Sequence, residues 1–329
     1  MVAGSNPAGG FWCIKMKLKD IGEHEFIRRS LSKYLGHDVF YDVYTEDGFT
    51  YKIDGFQLSY FFSFMDYYDI GWKAVTATVS DIITSGSKPR IILSSIGVNS
   101  EMEDKQLEDL FYGIIDATEY YEAKYVGGDL NNSEKNGWID IAGIGTKLCD
   151  IKSNPEEGDI VIISDEIGFT SEVFISYLNN FNIPIHEISK LRVKHPIVNK
   201  NILNFYKEFC NYIVSSTDIS DGLLISLQNL SDRLNYSILI EEFNINPSVY
   251  ENLRRYGYGV NDILKYSGEE FSSLFVVKQE KAKEMIEWLY HYNFSPKILG
   301  KLGKEGENEI KYKGNKLAIS GWDNFKGWY

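Results

Sequence analysis

The stretch Thr217-Asp218-Ile219-Ser220-Asp221-Gly222-Leu223-Leu224 limits the fold more than any other part of the chain. It follows the apolar pair Ile213-Val214 and precedes Ile225, Leu227 and Leu230, which recur at helical spacing, so a short strand turns into a helix here. Two carboxylates and a serine sit at that turn, beside Gly222. A helix start presents free backbone N–H groups to anions. Carboxylates there can also hold a metal that in turn holds a phosphate. Capping by Ser220 or Asp221 explains the same residues more simply, and the stretch alone leaves both readings open.

Upstream, helical spacing runs from Glu23 to Tyr34, with Phe26, Ile27, Leu31 and Tyr34 on one face and Gly36 as a stop. Two strand-like runs, Val39 to Tyr44 and Thr50 to Ile53, are joined as a hairpin by Glu46-Asp47-Gly48. Trp72 to Gly86 reads as a helix with Trp72, Val75, Val79, Ile82 and Ile83 as its apolar stripe. Ala74, Ala77 and Thr78 are small, so something packs closely on that side, and Ser80-Asp81 places polar groups among apolar neighbours. A strand from Arg90 to Gly97, a helix from Lys105 to Tyr121 and a short strand ending in Gly127-Gly128-Asp129 follow. The paired glycines allow close backbone approach to a ligand, or simply a tight turn.

A strand over Trp138 to Thr146 leads to Asn154-Pro155-Glu156-Glu157-Gly158, where the domain boundary is placed: residues 16–150 form one domain and 155–329 a second. In the second, strands at 159–164, 237–240 and 273–277 alternate with helices at 170–179, 247–256 and 279–290, and Pro196 opens a helix ending near Cys210. Strands at 296–300, 309–312 and 317–319 precede Gly321-Trp322-Asp323-Asn324-Phe325. Residues 1–15 lack a basic start and an apolar core; they read as a flexible extension ahead of Met16.

The net charge of -13 argues against a nucleic-acid or acidic-membrane partner. No run of about 18 apolar residues suggests a membrane span. Cys13, Cys149 and Cys210 show no paired spacing and read as reduced, in a cytoplasmic chain. No Walker A, His-Glu-x-x-His or Gly-x-Ser-x-Gly pattern is present. What recurs is a carboxylate at a glycine-rich or strand-end turn: Asp38, Asp54, Asp81, Asp129, Asp218, Asp221, Glu269 and Glu270. Oxygen ligands of this kind suit magnesium. Their spread over both halves suggests several ions in one cleft, which would let an acidic protein take up a polyphosphate.

The motifs together resemble the thiamine-monophosphate kinase family, of the superfamily that includes aminoimidazole ribonucleotide synthetase and selenophosphate synthetase. Gly22-Glu23-His24-Glu25-Phe26-Ile27 is similar to its Gly-Glu-Phe-Glu-Leu-Ile. Asp54 falls on the aspartate of its Ser-Thr-Asp, and Asp69-Ile70-Gly71-Trp72-Lys73-Ala74 with Val79-Ser80-Asp81 on Asp-Leu-Gly-Tyr-Lys-Ala and Leu-Ser-Asp. Gly127-Gly128-Asp129, Asp218 to Leu223, Gly268-Glu269-Glu270-Phe271 and the tail resemble Gly-Gly-Asp, Asp-x-Ser-Asp-Gly-Leu, Gly-Glu-Asp-Tyr and Gly-Trp-Asp-His-Phe.

The resemblance implies a two-domain α+β and α/β fold: an N-terminal sheet-plus-helices domain that dimerises through its sheet, and a C-terminal α/β layered domain. It implies ATP- and Mg-dependent phosphoryl transfer to thiamine monophosphate. Asp81, Asp129 and Asp221 would be catalytic, and Asp38, Asp54 and Asp218 would join them as metal ligands. Gly127, Gly128, Asp129, Lys152 and Ser220 would bind ATP. Phe61, Glu269, Glu270, Phe271, Trp322 and Phe325 would face the acceptor, with core packing as the competing role for the aromatics.

The chain also departs from the pattern. His37 stands at the first of a double aspartate, Gly55 at a threonine, and Phe61 where a histidine precedes phenylalanine. Leu130-Asn131-Asn132 stands at Thr-x-Arg, removing a phosphate-binding arginine, and Lys152-Ser153 at Arg-Ser. Glu270 replaces an aspartate and Asn324 a histidine. A related enzyme with another acceptor, or a nucleotide-binding paralogue with weakened catalysis, are the alternatives these losses motivate.

Overall fold

A computed structural model describes residues 16–329, apart from the side chains of His37 and Asp38. The 1–15 extension and the Asp38 ligand therefore lie outside the described residues. Strands β1 (Tyr44–Glu46) and β2 (Phe49–Gln57) form the expected hairpin. Asp47 and Gly48 both take positive φ, 50° and 78°, which gives the tight turn a backbone twist matched to its strands. β2 runs on through Asp54 because its even-numbered residues face the protein; Thr50, for example, is fully buried. The strand expected over 39–44 is instead a 3-10 turn, Gly36–Phe40, before β1. The preceding helical turns leave Leu31, Tyr34 and Leu35 exposed.

β3 (Ser87–Val98), β4 (Lys124–Asn132) and β5 (Trp138–Lys147) complete a sheet of order β1-β2-β5-β3-β4. Gly127-Gly128-Asp129 lies within β4, not at its end; Gly127 has φ 111° where the β3 pairing shifts register. One face carries α1 (Tyr67–Thr84) and α2 (Asp104–Tyr120). α1 begins earlier than its apolar stripe suggested, because Asp66 and Asp69 form a reciprocal capping box. The small-residue surface has its partner: a Cβ on Gly71 would meet Leu110 O at 2.1 Å, and one on Gly113 would meet Tyr68 O at 2.0 Å. The two helix backbones touch there.

The second sheet, order β12-β11-β8-β10-β6-β9-β7, is built from β6 (Ile160–Ile163), β7 (Ile213–Thr217), β8 (Tyr236–Ile240), β9 (Leu274–Val277), β10 (Lys297–Glu305), β11 (Ile310–Tyr312) and β12 (Asn315–Lys316). Helices α3 (Phe169–Leu178), α4 (Glu187–Lys194), α5 (Ile202–Phe209), α6 (Leu223–Leu234), α7 (Pro247–Arg255), α8 (Val260–Lys265) and α9 (Ala282–His291) surround it. Pro196 does not start a helix. It sits in the turn between α4 and α5, and its carbonyl accepts from Trp72 Nε1 and Thr76 Oγ1.

α1 is the axle between the halves. Thr76, Thr78, Ser80, Asp81 and Thr84 are all buried, and a buried polar group needs a partner. The second domain supplies several: Tyr206 and Ser216 donate to Thr84 O, and Ser80 donates to Asp218. Lys194 and His195 flank the buried Asp69 carboxylate. A further link corrects the reading of the cysteines as reduced: Cys149, just after β5, is bonded to Cys210, just after α5, with Cα atoms 5.3 Å apart. Spacing could not show this, because the pair is 61 residues apart and meets only when the domains pack. Among the described residues no helix is long and apolar enough to cross a membrane.

Candidate active site

The turn after β7 is set by its backbone. Gly222, at φ 121°, is the N-cap of α6 and has no side chain to cap it; Ser267 Oγ, from the loop after α8, does so by accepting from Leu223 N at 3.0 Å. Ser220 and Asp221 are therefore not caps, and their side chains are free for other work. The second loop is stitched to this one: Glu269 N donates to Ser220 O and Phe271 N to Ile219 O. Glu269 and Phe271 both have positive φ, 60° and 50°, a conformation side chains rarely adopt and that packed surroundings must hold.

Between the domains, Asp54 of β2, Asp81 of α1, and Asp218 and Asp221 of the turn share one electrostatic neighbourhood. Lys52 lies among them, its Nζ 2.5 Å from Asp81 and 3.8 Å from Asp54. Asp42 is there too, a residue sequence reasoning missed. It accepts from Thr217 Oγ1 at 2.8 Å and Arg233 Nη2 at 3.0 Å. Burial works against its charge, but the Arg233 guanidinium holds its carboxyl below the usual range. Burial drives Asp81 well above that range; Lys52 opposes it, and the charges of Asp218, Asp42 and Asp54 add to it. Burial and the Asp42 charge push Asp218 up to about 7. Asp221 is also raised, by its enclosed position and then by Glu23, Asp54 and Asp218. With 37% of its side chain exposed, solvent weakens that effect.

Asp218 fixes a pH dependence. The unfolded carboxyl titrates near 3.8 and the folded one near 7. Between these values the unfolded chain ionises more readily, so this group's contribution to metal-free stability is greatest below the lower value and is lost as pH rises towards the upper one. The shift corresponds to about 4 kcal/mol. Urea unfolding in chelator should show this decline for the parent and a flatter profile for Asp218→Asn.

The remaining expected residues divide. Lys73 Nζ is 2.6 Å from Glu269 Oε1 and stands over the Phe56 ring at 5.3 Å. Glu270 points inward, its Oε1 accepting from Gly168 N, Thr170 N and Thr170 Oγ1. Burial raises it to about 6. Phe271 is buried in the apolar core. Both anchor the loop and line a second cavity, of about 280 Å³, with Asp165, Arg192, His195 and Asn199, a lining that includes none of Asp54, Asp81, Asp218 and Asp221. The Trp322 ring stacks edge-on with Tyr60 and Trp328, Phe325 is exposed, and Phe61 lines an open cavity of about 420 Å³ with Tyr67, Met102 and Lys135. Lys152 is exposed in the linker. Asp129 is exposed on β4, its carboxylate accepting from Asn131 Nδ2 at 2.8 Å. The ladder aligns it with Ser95, Asp140 and Gly55 across the open sheet face, apart from the Asp81–Asp218 group.

The tail closes the site. Asp221 O accepts from Trp322 N at 2.9 Å, and His24 Nε2 lies 3.0 Å from Trp322 O and 3.8 Å from Asp221 Oδ2. Oxygen donors on buried, charge-crowded carboxylates suit a hard divalent cation. Among the described residues no three ligating side chains converge on one point. Magnesium commonly takes one or two carboxylates and completes its shell with water and substrate phosphate. Within this group the oxygens of Asp218 and Asp221 would hold it, with Asp81 and Asp54 already beside Lys52.

The fold and site define a two-domain enzyme type whose N-terminal half matches the model for "AIR synthase related protein, N-terminal domain" over residues 36–146. The chain is 31% identical over 271 residues to the thiamine-monophosphate kinase of Pyrococcus horikoshii, covering 80% of this chain and 82% of that one. It is 25% identical to the Aquifex aeolicus kinase, over 94% and 100% of the two chains. A solved ThiL structure complexed with AMPPCP and TMP superposes with a TM-score of 0.79 at 22% identity, over 94% of this chain and 99% of that one; this likeness shows the fold. The chain belongs to the thiamine-monophosphate kinase family.

Proposed function

We propose that this protein transfers the γ-phosphoryl group of ATP to thiamine monophosphate, giving thiamine diphosphate and ADP. The observation that carries the reading is the carboxylate group at the domain cleft, Asp54, Asp81, Asp218 and Asp221, in a chain of this family. The acceptor is a phosphate monoester with a second pKa of about 6. It is therefore largely dianionic at neutral pH and needs no general base. Magnesium, when bound, would supply charge neutralisation for the moving phosphoryl group.

The protein's part is positioning. Asp81 is fixed by α1 and Lys52, and Asp218 by Ser80. The Lys73–Glu269 pair holds the strained loop against the first domain. Trp322, Phe325 and Phe61 offer aromatic faces for the thiamine rings. Asp129, Gly127 and Gly128, with Ser220 and Lys152, belong to the nucleotide side of this reading. A cytoplasmic setting, where ATP is supplied, belongs to the same proposal. Calorimetric titration with Mg-ATP and then thiamine monophosphate tests the assignment. Binding of both with formation of thiamine diphosphate is expected; nucleotide binding alone, with turnover of another phosphorylated acceptor, would replace it.

The working form is proposed to be a homodimer. Phe49, Tyr51 and Ile53 alternate on the helix-free face of β2, and Ile53 is 67% exposed. Val126 of β4 is also exposed. An apolar sheet face of this kind asks for cover. Light scattering should give a dimer at micromolar concentration and a monomer for Ile53→Lys.

A further inference from the structure

The carboxylate group contains a cation of its own. Lys52 and Asp54 are two apart on β2, so both side chains stand on the face that meets α1. The strand aims the Lys52 ammonium at the carboxylate of Asp81, 2.5 Å away, with Asp54 at 3.8 Å. The Lys52 side chain is 19% exposed and that of Asp81 7%, so this pair is largely withdrawn from water. Arg233 and Thr217 occupy Asp42, and Ser80 occupies Asp218. Lys52 thus stands at the place where the free oxygens of two β2 and α1 carboxylates approach one another, and there is no three-carboxylate cage among the described residues.

We infer that the Lys52 ammonium is a resident cation that takes the place of one divalent ion in this site. A cleft with this many acids needs positive charge before a polyphosphate can enter it. A lysine supplies one charge permanently and without coordination geometry. A metal brought with the nucleotide then meets Asp218 and Asp221, and the Asp81–Asp54 position needs none. The inference relies on the proposed kinase reaction for what the charge is used for, but not for whether an ion binds.

The test is manganese binding without nucleotide or acceptor, followed by the electron paramagnetic resonance signal of free Mn2+. Parent, Lys52→Arg, Lys52→Met and Lys52→Gln are compared. Removing a positive charge a few ångströms from a divalent site should tighten it by about tenfold or more. Lys52→Met and Lys52→Gln should each bind one more Mn2+ per chain than the parent, while Lys52→Arg should match the parent. Without metal, both neutral variants should melt below the parent, and Mn2+ should raise their melting temperatures more than it raises the parent's. Equal Mn2+ number and affinity in parent and neutral variants would overturn the inference, because Lys52 would then be only a tether for Asp81. Failure of the kinase reading would appear elsewhere, as a parent that makes no thiamine diphosphate but still shows the Mn2+ difference.

Discussion

Asp81→Asn and Asp221→Asn should each lower ATP-dependent turnover by about 10²–10³, the usual cost of losing one preorganised electrostatic element at a reacting centre. Both should stay folded. Asn keeps the shape of Asp, and Asp81 is held by packing on every side of α1. Asp221→Asn leaves its backbone bond to Trp322 intact. Metal-free Asp221→Asn should be at least as stable as the parent, since it loses a carboxylate whose ionisation burial disfavours, whereas metal-free Asp81→Asn should melt lower, since it leaves the largely buried Lys52 ammonium without its nearest partner. Steady-state assays across a magnesium titration, with thermal melts in chelator, check both halves. Had Asp221 been a helix cap, Asn would have replaced it without loss; Gly222 holds that position, so the capping account predicts nothing here. Asp129→Asn is the companion measurement. In the single chain its carboxylate lies on the sheet's open face with Asn131, so a comparable loss would mean that the nucleotide site extends onto that face.

The second large effect concerns the Cys149–Cys210 bond. It closes a loop across a sequence separation of 61, and a loop of that length is worth about 4 kcal/mol through restriction of the unfolded chain. Reduction, or Cys210→Ser, should lower the melting temperature by several degrees. Turnover at moderate temperature should persist, because neither sulfur touches the carboxylate group. Denaturant titrations with and without reductant measure it.

Much of this architecture is legible in the chain. The α1 stripe, the β1–β2 turn and the strand-to-helix turn at 217–223 follow from spacing and turn chemistry, and the carboxylates gathered at the cleft are mostly those that recur at turns. The missing parts depend on distant partners. Asp42 looks like any loop aspartate until Arg233 of α6 reaches it. Phe271 and Glu270 belong to a motif, yet the left-handed backbone at 269 and 271 turns both inward. Lys52 was readable: two residues before Asp54 in an alternating strand, it must share that residue's face. α4 escaped notice because its mean composition is polar and Pro196 after it resembled a start signal.

The clasp between the first and last described elements has a consequence for synthesis. Glu23 N donates to Asp323 Oδ2, Asn324 Nδ2 donates to Glu23, and His24 meets the Trp322 carbonyl, while Trp322 itself donates to Asp221 O. A ribosome releases the acidic residues long before residues 321–329, so a nascent chain can lay down both sheets without a finished cleft. Catalytic competence would then arrive late and abruptly, and a chain broken off before Gly321 would lack the contacts that cover Asp221.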